Sequence, residues 1–402
     1  MQLPSDADHT GRNFGQEELD LLKRVIESGT LNCTKGTVVK EFEKRFGQKH
    51  GVEFCRTTTS GTAAIHTAIA GINPEPGDEI ITTPITDMGA LTPIIYQTAI
   101  PIFADVDPLT YNVTAETIAP RISKRTKAIM VTHLFGNPCD IDPIMDLARA
   151  HKLPVIEDAC QSYQTEYKGR LVGTIGDIGC FSLQQGKHMT TGEGGIVIAK
   201  NGNYTRRMWL FVDKAWGYGD PKPDHYFLAP NYRMTELQGA VALAQLDKVD
   251  GVVESRIRTA QMLTKLIADI PGVSPPKITA DSKHVYWKYP LRIDDDIIQG
   301  GVDQFAAKLK ERGIFSAPRY IQKPAFMCQI FVERNTFGNS HFPFEGECRK
   351  NEPPVKYDPK NYPGTLDALS HVVVLPWNEF YTEEHVHFIA DNIKEVALSL
   401  KK

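Results

Sequence analysis

Between about residues 52 and 199, short apolar runs alternate with stretches of helical periodicity, and this alternation narrows the fold more than any other property of the chain. The strand candidates are 79–82, 100–104, 128–132, 155–157, 178–181 and 196–199. Helical stretches at 62–69, 115–121 and 144–150 fall between several of them. Such an order predicts a largely parallel, doubly wound α/β sheet with helices on its faces. Ligands in such sheets sit at the carboxyl ends of the strands. Asp158 and Lys187 both follow strand candidates, so both can point into one crevice.

The flanking regions extend this plan. Leu19, Leu22, Val25 and Ile26 recur at helical spacing, Gly29 and Thr30 interrupt it, and Val38, Val39, Phe42 and Phe46 resume it. Residues 234–266 read as one long amphipathic helix, with Leu237, Val241, Leu243 and Leu246 on its apolar side. A helix of this kind often carries a chain from one domain to the next. The expected division is a large domain at 12–255, N-terminal helices included, and a smaller α+β domain at 256–402. The second has strand candidates at 286–291 and 372–374 and helices at 304–312 and 383–398. Its polar stretch 334–363, rich in Pro, Gly and Asn, is expected to be a long surface loop. A chain of 402 residues suits two domains.

Composition excludes several classes of function. The net charge of −4, without a long basic run, gives no reason to expect nucleic acid or an anionic membrane as partner. Seven cysteines without a CxxC pair argue against a disulfide framework or a zinc site. They suit reduced thiols in a cytoplasm. The start has no signal-peptide pattern, and no apolar run approaches a membrane span.

The chemistry centres on Lys187. It lies in Phe181-Ser182-Leu183-Gln184-Gln185-Gly186-Lys187-His188-Met189-Thr190-Thr191-Gly192-Glu193-Gly194-Gly195. A hydroxyl precedes the lysine, a glycine-rich turn follows, and an apolar strand comes next. Three other segments belong with it. Thr57-Thr58-Thr59-Ser60-Gly61-Thr62 opens a helix, whose free N–H groups suit a phosphate. On its own it reads more readily as an ordinary N-cap. Val155-Ile156-Glu157-Asp158-Ala159-Cys160-Gln161 ends a buried strand in an acid. That acid either caps a turn or holds a cationic partner. Pro230-Asn231-Tyr232-Arg233-Met234 opens the long helix. A lysine for an aldehyde, a carboxylate for a pyridinium nitrogen and hydroxyls for a phosphate together meet the requirements of pyridoxal 5′-phosphate. The lysine amine is then placed to move the proton of a substrate Cα–H bond.

These motifs resemble the DegT/StrS sugar and cyclitol aminotransferases, within the aspartate-aminotransferase-like fold (fold type I). The resemblance covers nearly the whole chain. It is carried by Ser60-Gly61-Thr62, by Glu157-Asp158-Ala159-x-Gln161, by Phe181-Ser182…Lys187…Gly192-Glu193-Gly194-Gly195 and by Asn231-Tyr232-Arg233-Met234. It implies a mainly parallel seven-stranded sheet flanked by helices in the large domain. It also implies that Lys187 is the Schiff-base lysine and that Asp158 partners the pyridine nitrogen. By the same likeness Gln161 lies beside the phenolic oxygen, and Gly61, Thr62 and Ser182 contact the phosphate. Asn231 corresponds to a residue that reaches the phosphate of the neighbouring subunit, so a homodimer with shared sites is implied. The implied reaction moves an amino group from glutamate or glutamine to a keto-sugar, nucleotide-linked in many relatives, or to a keto-cyclitol.

Two departures stand out. Many relatives have an aromatic residue where this chain has Asp87, so the outer face of the ring is covered by Met88 or left more polar. Many have histidine where this chain has Gln184, a form that resembles the branch acting on cyclitols and amino-hydroxybenzoate precursors. The substrate candidates are therefore Asp87, Gln184, His133 at a strand end, and Arg233, a guanidinium able to fork onto a carboxylate or to form an ion pair at a helix start. His188, Tyr320 and the loop of Trp216, Gly217 and Tyr218 are weaker candidates. Competing functions are a dehydratase, lyase or aromatising synthase of the same fold, and a non-catalytic sensor. The related sugar 3-dehydratases replace the lysine by histidine, whereas Lys187 is kept here.

Overall fold

The computed structural model describes residues 1–200 and 202–402. The central strands are β1 (Phe54–Thr58), β2 (Glu79–Thr82), β3 (Ile100–Phe103), β4 (Thr126–Thr132) and β5 (Val155–Asp158). After a short hairpin of β6 (Glu166–Tyr167) and β7 (Arg170–Leu171) come β8 (Ile178–Ser182) and β9 (Gly195–Ala199). Seven of these form one sheet in the order β1-β9-β8-β5-β4-β2-β3, and only β9 runs against the rest. The predicted mainly parallel α/β sheet of fold type I is present. Its central strands are buried on both faces, which is why they read as continuous apolar runs. Strand β1 was not among the candidates. Its sequence, Phe-Cys-Arg-Thr-Thr, is half polar, and it is defined by pairing with β9 from Phe54↔Ala199 to Thr58↔Gly195.

Helices α1 (Gln16–Ser28) and α2 (Val38–His50) pack on the long helix Glu236–Ile267. Gly29, at φ 65°, ends α1 in the left-handed conformation that glycine adopts without strain. The start of α2 is capped from a distance. The N–H groups of Val38 and Val39 donate to the buried Glu236 carboxylate at 2.8 and 3.1 Å.

A second sheet follows the long helix. It contains β10 (Val273–Ser274) and, after β11 (Ser282–Lys283), which pairs back onto β6, β12 (Lys288–Ile293), β13 (Ala317–Pro318) and β14 (Val372–Pro376). Its antiparallel order is β10-β12-β14-β13. Helices Gly301–Glu311 and Glu383–Ser399 enclose its core around Tyr289, Phe305 and Trp377.

The stretch 334–363 is irregular and mostly exposed, as expected of a long surface loop, and it also docks on the central sheet. Tyr357 donates to the Pro101 carbonyl at 2.6 Å, and Arg349 pairs with Glu79 at 2.9 Å. Phe344 and Tyr362 are buried in a cluster with Phe103 and Phe331. The aromatic residues scattered through a polar segment cover the edge strand β3, which would otherwise expose unpaired backbone. Among the described residues no helix is long and apolar enough to cross a membrane, and no group of side chains could hold a metal ion.

Candidate active site

The carboxyl ends of β5 and β8, the turn after β8 and the start of α3 (Gly61–Ile72) open into one cavity of ≈ 370 Å³. Lys187, Asp158, Gln161, Ser182, Gly61 and Thr62 all line it, although they span more than 120 residues of sequence. Sheet topology explains this convergence. Strands β5 and β8 are parallel neighbours, so their carboxyl ends lie side by side.

Lys187 comes from the turn that follows β8. Its Nζ lies 3.9 Å from the centroid of the Trp287 ring, over the face of the indole. Burial pushes the pKa of this amine below the ordinary lysine value, against Cys160, Asp158 and Asp87, which favour its charged form. A larger share is therefore the neutral, nucleophilic amine.

Asp158 is 3% exposed. Thr132 Oγ1 donates to its Oδ2 at 3.2 Å and the Cys160 N–H to its Oδ1 at 3.1 Å. Among the described residues no cation pairs with it, so a buried carboxylate faces the cavity with only neutral donors. That arrangement suits a cation brought in by a ligand.

At the start of α3, Ser60 caps the helix by accepting from the Ala63 N–H at 3.0 Å. The N-cap reading of this segment is present, and Ser60, Gly61 and Thr62 at the same helix start line the cavity. Gly61 is held close to its neighbours. A Cβ there would lie 2.7 Å from Ser182 Cβ and 3.2 Å from Cys160 Sγ, filling the cradle between helix and strand. Gln161 accepts from the Phe135 N–H at 2.8 Å and donates to Tyr320 Oη at 3.2 Å. Tyr320 packs edge-on against Phe135 and Trp287.

The wall facing Lys187 is polar. Asp87 and Gln184 both line the cavity. Each is braced by a local turn: Asp87 accepts from the Gly89 N–H and Gln184 from the Gly186 N–H, both at 2.8 Å. Met88 does not line the cavity. It packs instead into the apolar cluster of Leu91, Phe103 and Phe326, so the suggestion that it covers a ring is corrected.

His133 is also corrected as a substrate contact. It is fully buried, donates through Nε2 to Glu157 at 3.0 Å and accepts at Nδ1 from the Cys139 N–H at 3.1 Å. Side chains alternate across a strand, so Asp158 takes the cavity face while Glu157 and His133 share the other. Burial pushes the Glu157 carboxyl up, but His133 and the amides of Gly176 and Gly173 outweigh it and hold the acid ionised. Arg233 forms an ion pair with Asp213 and does not reach the cavity, which selects the structural alternative for this residue. Asn231 is exposed, outside the cavity of its own chain. His188 is buried, does not line the cavity and donates to the Val285 carbonyl at 3.1 Å. Trp216 packs against His225 with the two rings tilted at 51°, and its loop does not line the cavity.

Cys160, Glu193 and Trp287 line the cavity without having been singled out. The first two sit inside quoted motifs. Trp287 lies 100 residues beyond Lys187, and no local spacing signals it.

The donor set fits pyridoxal 5′-phosphate: an amine for its aldehyde, an uncompensated carboxylate for its ring nitrogen, and a helix start with close-packed glycine for its phosphate. Comparison with known proteins agrees. Residues 12–348 match the DegT/DnrJ/EryC1/StrS aminotransferase family. The chain is 35% identical over 286 residues to the GDP-perosamine synthase of Caulobacter vibrioides, covering 70% of this chain and 76% of that one. It is 36% identical over 280 residues to a Micromonospora echinospora protein provisionally named L-glutamine:3-amino-2,3-dideoxy-scyllo-inosose aminotransferase, covering 68% and 67%. The solved structure of an aminotransferase from Psychrobacter cryohalolentis superposes with a TM-score of 0.84 at 28% identity, over 97% of this chain and 98% of that one. The chain belongs to the DegT/DnrJ/EryC1/StrS family of pyridoxal-phosphate-dependent aminotransferases.

Proposed function

We propose that the enzyme takes an amino group from glutamate or glutamine and passes it to a keto-polyol, either a keto-cyclitol or a keto-sugar. The observation that carries this reading is the convergence of the Lys187 amine, the unpaired Asp158 carboxylate and the start of α3 on one cavity with a polar opposite wall. When bound, pyridoxal 5′-phosphate supplies an aldehyde for the amine and a protonated ring that draws electrons from the donor Cα–H bond. Asp158 keeps the ring nitrogen protonated. Gly61, Thr62 and Ser182 hold the phosphate, and Gln161, braced by Tyr320, stands beside the phenolic oxygen. Lys187 would hold the aldehyde at rest; once displaced by the donor, its neutral amine would carry the proton from the donor Cα to the cofactor in the first stage and from the cofactor to the acceptor carbon in the second. Asp87 and Gln184 present hydrogen-bonding groups to the acceptor's hydroxyls.

Two relatives support an acceptor of this class by their names, one a GDP-sugar synthase and one an inosose aminotransferase. Asn231, exposed at the start of the long helix, is proposed to complete the phosphate site of a second subunit.

The test is a two-stage reaction. Glutamate or glutamine is added to the yellow protein, and the amino-loaded form is then offered keto-cyclitols, nucleotide-linked keto-sugars and simple ketones. Bleaching by the donor and recovery of colour with an amino-polyol product are expected. A product that has lost water or become aromatic, with no nitrogen gained, would contradict the proposal.

A further inference from the structure

The lysine turn is tied down by parts of the chain that its own motif does not include. Three successive residues of the turn each bond outside it. Gln185 Nε2 donates to the Asp6 carbonyl at 2.9 Å. The Gly186 carbonyl accepts from Trp287 Nε1 at 2.7 Å. The Lys187 carbonyl accepts from Arg12 Nη1 at 2.8 Å.

Arg12 is fixed in its turn. Its side chain is 2% exposed, its Nε donates to the Asp6 carbonyl at 3.1 Å and its Nη2 lies 3.1 Å from Asp6 Oδ1. The Asp6 carboxylate also accepts from Asn378 Nδ2 at 2.6 Å and from Arg256 Nη2 at 3.3 Å. Arg256 is anchored by Glu379 at 2.6 Å. Residues 5–12 therefore form a strap across the lysine turn, fastened on its far side to the long helix and to the segment after β14. The strap lies close to its anchor. A Cβ on Gly11 would fall 2.4 Å from the Ser5 carbonyl oxygen and 2.5 Å from Asn378 Nδ2.

A buried guanidinium is costly unless its donors are directed. Nη2 of Arg12 has only the ion pair with Asp6, whereas Nη1 is directed at the backbone of the one lysine that lines the cavity among the described residues. A lysine side chain turns about four bonds, so the position of its amine depends on how firmly its own peptide is held. Arg12 holds the carbonyl of residue 187 from one side, and Trp287 holds that of residue 186 from the other while its ring supports the amine.

We propose that Arg12 is a positioning residue for Lys187, fixing the turn so that the amine enters the cavity beside Asp158. The inference rests on the reading of Lys187 given above. Misplacing a reacting group by about 1 Å costs on the order of a hundredfold in rate.

The test uses the full-length protein with Arg12→Met, Arg12→Lys and the milder Gln185→Met. Three quantities are read: the thermal midpoint, the rate at which cofactor-stripped protein regains its yellow colour on adding pyridoxal 5′-phosphate, and kcat and KM for the donor half-reaction. Arg12→Met is expected to slow both colour recovery and kcat by about tenfold or more, with KM for the donor nearly unchanged. Arg12→Lys recovers part of the loss, because an ammonium can reach the Lys187 carbonyl but cannot fork onto Asp6. Gln185→Met moves the same quantities in the same direction by less. A lowered thermal midpoint with wild-type colour recovery and kcat would make Arg12 merely structural and overturn the proposal. If Arg12→Met does not fold, Gln185→Met decides alone, and wild-type rates in it overturn the proposal. Lys187→Ala separates the two levels. Turnover retained in that variant removes the functional reading itself, whereas a dead Lys187→Ala beside a wild-type Arg12→Met removes only the strap's role.

Discussion

Asp158 sits at the end of a buried strand with a hydroxyl and an amide as its donors and no ion pair among the described residues. Those donors and the Lys187 amine leave room at the carboxylate for the cation that a protonated ring nitrogen would bring. Asp158→Asn keeps the shape and removes the charge. The protein should fold and bind cofactor more weakly, and the donor half-reaction should slow by about a hundredfold or more, as expected when a charge that stabilises the transition state is lost. Stopped-flow bleaching with glutamate measures this, and a wild-type rate would refute the pairing. How much of the site the sequence discloses follows from the same geometry. Lys187, Asp158, Gln161, Gly61, Thr62 and Ser182 were readable because each lies in a short motif at an element's end. Which side chains share a face was not readable from composition. His133 ends a strand just as Asp158 does, yet alternation turns it to the opposite face, onto Glu157. Met88 and Arg233 were likewise claimed by an apolar cluster and an ion pair that form only in the folded chain.

At the scale of elements, strands flanked by helices were legible from periodicity, because burial on both faces leaves uninterrupted apolar runs. Strand β1 escaped because pairing, not composition, defines it. The segment 334–363 was legible as a long surface loop, but the docking of its few aromatics on the edge strand β3 was not. Long-range capping is similarly invisible in sequence. Glu236 opens one helix while its carboxylate satisfies the first N–H groups of another, nearly 200 positions away. Glu236→Ala leaves those buried donors unsatisfied and should lower stability by about 1–3 kcal/mol. Urea denaturation followed by circular dichroism measures the loss. A change below about 0.5 kcal/mol would mean that solvent replaces the cap.

At the scale of the molecule, the proposed pair of shared sites makes a demand that no single-chain property meets. Lys187→Ala removes the amine from its own site, and Asn231→Ala removes a contact from the partner's site. Each variant alone should be impaired. In a mixed dimer one site carries both defects and the other carries neither, so random mixing should restore about a quarter of wild-type activity. Mixing without recovery would place Asn231 outside the neighbouring site. Within each chain the sheet, the strap and the second sheet meet at the lysine turn, and everything proposed for the enzyme depends on that lysine meeting the cofactor. Borohydride reduction of the yellow protein fixes the cofactor to whichever amine holds it, and peptide mass spectrometry then locates it. The expected result is a single modified peptide with the added mass on Lys187. Label on Lys288 or another lysine, or no covalent label in protein that has bound the cofactor, would contradict the central claim.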